Sequence, residues 1–350
     1  KNRYLTMITP MKTFINGVTK PDLAQTVIGP ISGKTFVRPD VTSGFPKVVP
    51  MYFDRKAKTT SSASTIQAVT DSYPDFGSPT LKIGMFVPST NTAMEQELWS
   101  ILKKGDTTEN GVGIHTVNVV TPKPQVGTAA EVAQYGQAFL GGLERSLNTV
   151  LMSQPQYLIM GMSLEHIIDN MEDMDAPMKK IVEGTPGGNM GMSTWHDAIK
   201  GAFNTVFPNC KPNDKLRVGL LTAFDESGNE TAIKMFENEE FFGREIEVTR
   251  TYIFQCATSV DIAHVSDSAK EMAVRVLAFG NGEENQGGDA GVDVIVQCGT
   301  NFGMNRVSEK MEPIVGVPVL GINTVLLWHA LRENGINTKI SGVSRIFREF

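Results

Sequence analysis

The residue best placed to do chemistry in this 350-residue sequence is Cys298, in the run Gln297-Cys298-Gly299-Thr300-Asn301. It ends an apolar stretch and precedes a helical one. A thiol in such a turn meets backbone N–H groups and the positive end of a helix dipole, which favour thiolate and make it a competent acid/base near neutral pH. The competing reading is a buried, inert cysteine, the commoner fate of a lone thiol. The turn Pro88-Ser89-Thr90-Asn91 is the second candidate. Its hydroxyls, amide and backbone donors at a helix start could hold a carboxylate, although plain N-capping uses the same residue types. The corresponding turn in the second part of the chain carries Asp225 and Glu226, which are expected to point outward because they would repel a carboxylate.

Other chemistry finds less support. Gly184, Gly187, Gly188 and Gly191 form neither a P-loop nor a dinucleotide fingerprint and read as a flexible loop, as does the acidic stretch 280–291. The five histidines (His115, His166, His196, His264, His329) have no metal-binding spacing; His166, three residues after Ser163, is the one worth testing. Cys210 and Cys256 lie far from Cys298 in sequence, and three dispersed cysteines argue against a disulfide scaffold or structural zinc and for a reducing compartment, cytoplasmic or organellar matrix. A net charge of −6 disfavours nucleic-acid binding, and no apolar run is long enough to span a bilayer. Small molecules are the expected partners, with no cofactor and no metal.

The elements that position these residues begin at 81. Leu81–Val87, Gly113–Val120, Tyr157–Met160, Arg217–Thr222, Ile246–Ile253, Val292–Val296 and Val317–Leu320 read as strands. Helical periods lie between them, among them a helix after Ser163. That alternation predicts parallel βαβ units with helices on both sheet faces. The chain also repeats. Leu81-Lys82-Ile83-Gly84-Met85-Phe86-Val87 is echoed by Leu216-Arg217-Val218-Gly219-Leu220-Leu221-Thr222, and Tyr157 to Ser163 by Val294 to Thr300. Two similar α/β halves, 81–185 (completed by 321–350) and 186–320, would present strand ends to a shared cleft. Under this pairing Gly161 faces Cys298 and Ser163 faces Thr300.

Residues 1–80 are different. They hold ten Lys and Arg against five Asp and no Glu, a charge of +5 that leaves −11 for the remainder. Without a sustained helical or strand period, they read as an irregular N-terminal arm. An arm of this kind is expected to wrap its own body or a neighbouring subunit of a homo-oligomer.

Val87-Pro88-Ser89-Thr90-Asn91-Thr92-Ala93-Met94-Glu95, Ile159-Met160-Gly161-Met162-Ser163, Gln297 to Asn301, Gly316-Val317-Pro318-Val319-Leu320 and Asn323-Thr324 together resemble the aspartate/glutamate racemase superfamily, in particular its maleate cis-trans isomerases and arylmalonate decarboxylases. The resemblance runs from about residue 81 to the C-terminus. It implies two flavodoxin-like halves related by a pseudo-twofold and cofactor-independent chemistry beside a carboxylate. Racemases and maleate isomerases of the superfamily use one cysteine from each half. Gly161 at the first position is the decarboxylase pattern instead, in which loss of carbon dioxide leaves an enediolate that one cysteine protonates.

Carried over, the resemblance makes Cys298 the proton donor. Ser163 with the N–H groups of Met162 and Gly299 would stabilise the enediolate, and Ser89, Thr90 and Asn91 would orient the carboxylate. Met162 and Phe224 depart from the family's Thr and Tyr, removing two side-chain donors. The departure implies a different substrate, a compensating group such as Asn229 or His166, or a silent relative. The expectation is a single-cysteine lyase or isomerase acting on a small carboxylate or dicarboxylate, with maleate-isomerase-like activity or an inactive binding or assembly subunit as alternatives.

Overall fold

The computed structural model describes residues 25–29, 31–38, 51–54, 59–62, 77–105, 111–122, 124–162, 190–209, 215–280 and 291–350. Two antiparallel hairpins come first: β1 (Gln25–Ile28) with β2 (Thr35–Arg38), and β3 (Met51–Asp54) with β4 (Thr59–Ser62). The arm is therefore less irregular than its sequence suggests. Its short strands lack a period because hairpin pairing needs only four residues a side.

The first half then runs β5 (Leu81–Pro88), α1 (Met94–Lys104), β6 (Val112–Val119), α2 (Ala129–Leu151), β7 (Tyr157–Met160), β8 (Met192–Ser193) and α3 (Trp195–Val206). The second runs β9 (Leu216–Thr222), α4 (Glu226–Phe236), α5 (Glu239–Phe242), β10 (Ile246–Ile253), α6 (Asp267–Phe279), β11 (Val294–Gln297), α7 (Asn305–Val315), β12 (Val319–Gly321) and α8 (Ile322–Glu333). A short α9 (Arg345–Glu349) closes the chain. Among the described residues all strand pairs from β5 onward are parallel, in the orders β6-β5-β7-β8 and β10-β9-β11-β12. The two sheets share one topology, and the fold is α/β with two similar halves.

Central strands β5 and β9 are buried almost throughout because helices cover both faces, whereas the edge strands β6 and β10 mix exposed and half-buried residues with a few buried ones. Gly84 of β5 admits a helix, since a Cβ there would lie 2.8 Å from Val150 of α2, whereas one on Gly219 would meet Leu277 of α6 at an ordinary 3.4 Å. Thr128 caps α2 by accepting from the Glu131 N–H, and its hydroxyl donates to the Glu131 carboxylate at 3.1 Å.

The halves exchange their last helices. Helix α8, which follows the last strand of the second sheet, packs on α1, β7 and β8 of the first. Helix α3 packs on the second half, where Phe203 meets Phe236 and Phe242 and Trp195 meets Phe236. Hairpin β1–β2 docks over α3 and α8. Ser32 donates from its N–H (3.0 Å) and hydroxyl (2.6 Å) to Glu333, Lys34 pairs with Asp197 at 2.7 Å, and Phe36 meets Tyr157 edge-on. No helix among the described residues is long and apolar enough to cross a membrane.

Candidate active site

Gly161 and Cys298 occupy equivalent places. The Gly161 N–H donates to Phe86 O at 2.8 Å and the Cys298 N–H to Leu221 O at 2.9 Å, each just past the strand flanking the centre of its sheet. The turns that follow are joined. The Thr300 hydroxyl donates to Gly161 O at 2.8 Å and accepts from Asn91 Nδ2 at 3.0 Å. Three turns, from β5, β7 and β11, are thus joined at Thr300, two residues past Cys298.

Asn91 is engaged at both ends of its amide, because its Oδ1 caps α1 by accepting from the N–H groups of Ala93 and Met94. Asn301 mirrors it across the seam. Its Oδ1 accepts from the Thr92 and Ala93 N–H groups, and its Nδ2 donates to Thr90 O at 3.1 Å and Ser259 O at 2.8 Å. The Thr90 hydroxyl bonds Tyr135 Oη at 3.2 Å and accepts from Ser259 Oγ at 3.0 Å. Ser89 is exposed, and its hydroxyl bonds that of Thr121 at 3.1 Å.

The loops after β6 and β10 roof this region as a pair. Gln125 and Thr258 form an antiparallel bridge, the Val126 N–H donates to Ala257 O, and the Ser259 N–H donates to Pro124 O. From below, Glu97 of α1 reaches across to the thiol-bearing loop. Its carboxylate accepts from the N–H groups of Met304 (2.7 Å) and Asn305 at the start of α7, and from Asn323 Nδ2 at 2.8 Å. Burial pushes the Glu97 carboxyl above its ordinary range, against the pull of these donors and of Lys270. Asn323 Nδ2 also donates to Thr300 O. Asn323 falls in one of the runs that carry the family resemblance, but Glu97 has no sequence signal for this role, since it looks like an ordinary first-turn acid.

Cys298 is 3% exposed and, like Cys256, outside any disulfide. The two thiols differ in surroundings. Burial and the nearby Asp261 push Cys256 up to about 11. Gly299 adopts φ +101°, a conformation that suits glycine, and the Phe224 ring lies 3.7 Å from where its Cβ would be. Met162 and Phe224 are both buried apolar residues, and Asn229, also buried, accepts from the Thr222 hydroxyl at 3.3 Å. Asp225, expected to point outward, is instead buried and caps α4 by accepting from the Gly228 N–H at 2.9 Å; Glu226 is exposed. Helix capping offers that carboxylate donors which solvent would otherwise supply.

Gly161 is closed to any side chain. A Cβ there would sit 2.4 Å from Val87 Cγ1, 2.9 Å from Met94 Sδ and 2.9 Å from Phe86 O. Ser163, His166, Cys210, the glycines at 184, 187 and 188, and residues 281–290 lie outside the described residues. Among the described residues no group of three His, Cys, Asp or Glu side chains could hold a metal ion.

No protein-family model matches the chain, and no curated protein sequence does. Solved structures do. Nocardia farcinica maleate cis-trans isomerase, in a variant with a covalently bound succinylcysteine intermediate, is 17% identical, with 77% of this chain and 99% of that one covered at a TM-score of 0.59. A variant of the maleate isomerase of Pseudomonas putida S16 with maleate is 15% identical, covering 77% and 97% at a TM-score of 0.60. A liganded arylmalonate decarboxylase variant is 15% identical, covering 77% and 100% at a TM-score of 0.56. The structural neighbours of this chain are thus maleate cis-trans isomerases and arylmalonate decarboxylases of the aspartate/glutamate racemase superfamily, and the two-halved fold is theirs.

Proposed function

We propose that the chain is a cofactor-independent lyase of small carboxylates or dicarboxylates, with Cys298 as its single proton donor. The observation that carries this reading is the asymmetry at equivalent positions: a thiol at 298, and at 161 a glycine whose neighbours exclude a side chain. A two-base reaction needs a proton-transferring group on each side of the reacting carbon. One thiol serves a reaction that needs a proton delivered to one face.

In such a reaction the C–C bond to one carboxylate of a malonate breaks, its electron pair passes into the remaining carboxylate, and carbon dioxide leaves. The enediolate so formed takes the proton of the Cys298 S–H at its α-carbon, and the thiolate recovers a proton from water. The protein's task is to stabilise charge building on the enediolate oxygens, which fixed N–H donors do without reorganisation. Met162 and Phe224 line the site without hydrogen-bonding side chains, which favours substrates with an apolar substituent.

The test is Cys298→Ser, assayed with the wild type on a panel of aryl- and alkylmalonates and maleate, following carbon dioxide release and deuterium uptake by NMR. Turnover is expected to fall by about 10³ or more while the circular dichroism is unchanged. Undiminished turnover by Cys298→Ser on the preferred substrate overturns the reading. The buried Met162 and Phe224 also favour a second reading, a carboxylate-binding subunit without turnover. Calorimetric binding of a malonate with no product from the wild type would select it.

A further inference from the structure

Helix α8 ends on a carboxyl in an unfavourable place. Glu333 is 2% exposed and sits in the last turn, where desolvation and the negative end of the helix dipole both act against its charge. Burial pushes it above the ordinary carboxyl range, against the donors of Ser32 and the charge of Lys34. What it meets there is the arm. The Ser32 N–H donates to its Oε1 and the Ser32 hydroxyl to its Oε2, and the hairpin turn lies so close that a Cβ on Gly29 would collide with that carboxylate.

The same hairpin grips what α8 leans on. Lys34 pairs with Asp197 in the first turn of α3, and the other oxygen of Asp197 accepts from the Thr194 hydroxyl at 3.2 Å. Ile31 lies where α3 crosses α8: a Cβ on Gly201 would be 3.4 Å from Ile31 Cδ1 and 3.1 Å from His329 Cδ2. Phe36 packs on Tyr157 of β7, and Arg38 Nη2 donates to Thr80 O and to Gln156 Oε1 at the foot of the first sheet. One hairpin thus binds α3, α8 and β7 together.

Helix α8 is buried on every side and has three polar anchors. At its start, Asn323 Nδ2 donates to Thr300 O and Glu97 Oε2, both at 2.8 Å. At its middle, His329 Nδ1 bonds Ser193 Oγ at 2.7 Å, and that hydroxyl meets Tyr157 Oη at 3.2 Å. Glu333 is the third, ten residues or about 15 Å from the first. A close-packed helix shifts as a rod rather than deforming. Freeing the end that Ser32 holds therefore lets the rod pivot about His329 and moves the end that holds Thr300.

We propose that hairpin β1–β2 is a strap that locks α8 against the first sheet and, through Asn323 at the far end of that helix, steadies the loop following Cys298. The arm lies outside the stretch of sequence that carries the family resemblance, so this control is added to the shared fold. Its bearing on chemistry rests on the reading of Cys298 as the functional thiol.

The experiment is hydrogen–deuterium exchange, read by peptide mass spectrometry on the full-length protein. Two variants release the strap: Ser32→Ala combined with Lys34→Ala, which removes its side-chain ties, and Gly29→Ala, which wedges it off Glu333. Lys215→Ala, which removes an exposed ion pair at the edge of the second sheet, is the control. In both strap variants exchange over 25–38 is expected to quicken, and exchange over 299–305 and 322–326 to quicken with it by about ten-fold, while β9 stays at the wild-type rate. A freed hairpin with 299–305 and 322–326 unchanged overturns the proposal. So does a hairpin that neither variant frees, an equal rise in β9, or the same rise in Lys215→Ala. Should Gly29→Ala not fold, the double variant decides, since both its positions are exposed. Exchange involves no thiol chemistry, so a Cys298 that proves inert by the Cys298→Ser assay retires that reading while a loosened loop still supports the strap.

Discussion

The two halves of this chain have the same strand order, the same parallel registers at their centres and the same hydrogen bond closing the third strand, yet only one carries a thiol just past that strand. Where the second half has Gln297 and Cys298, the first has Met160 and Gly161. The backbone tolerates either set. What decides is the wall behind each position: Val87, Met94 and Phe86 O leave no room for a Cβ at 161. The first half contributes support instead. Asn91 and Glu97 reach across to the thiol-bearing loop and hold it at Thr300, Met304 and Asn305. A repeated fold thus divides labour, with one copy bearing the thiol and the other bracing the loop that follows it.

The division can be broken at its strut. Glu97→Ala leaves two buried N–H groups at the start of α7 and the Asn323 amide without their acceptor, and is expected to cost about 3–5 kcal/mol, read by urea denaturation. A smaller effect comes from the far end of α7. Burial pushes the Glu312 carboxyl up to about 7, against the N–H groups of Val319 and Arg345 and the charge of Arg348. A carboxyl raised on folding binds its proton more tightly in the native state. Its contribution is therefore complete below about 4.5 and lost as pH rises towards about 7, by about 3 kcal/mol at most. Unfolding free energies measured from pH 4.5 to 8 should show this decline in the wild type and a flatter profile in Glu312→Gln.

Making the halves alike sharpens the comparison. Gly161→Cys is expected to destabilise by about 1–3 kcal/mol through overpacking and to confer no racemase activity. Adding Val87→Ala should recover part of the melting temperature, whereas full stability in the single variant would contradict the steric account. The smallest effect is expected at the arm, which belongs to neither repeat. Lys34→Ala removes an ion pair whose lysine is 63% exposed. It should change stability by under about 1 kcal/mol and raise the rate of proteolysis near the hairpin more than it lowers the melting temperature.

Much of the architecture is legible along the chain because βαβ units write themselves as alternating periods. Tyr157–Met160 is a strand over the residues expected, and the repeated run beginning at Leu81 and Leu216 marks the central strand of each sheet. The Thr300 hydroxyl bonds both Asn91 and Gly161 across the seam. Partnerships between residues far apart leave no such trace. Glu97 has the look of a solvent-facing acid in a first helical turn, and only the second half, more than 200 positions later, gives it donors. Charge alone directs Asp225 outward, but the N–H groups of its own helix offer a better partner than water. The arm hairpins give no signal because four-residue strands are too short to display a period.

The crossing of α3 and α8 has a consequence for any attempt to take the protein apart. Each sheet has its terminal helix supplied from the opposite repeat, so a chain severed between α3 and β9 would yield two fragments that both expose an apolar wall. Neither fragment should behave as an autonomous module. Mixed together they should reassemble, and the thiol would regain its setting only in the complemented pair.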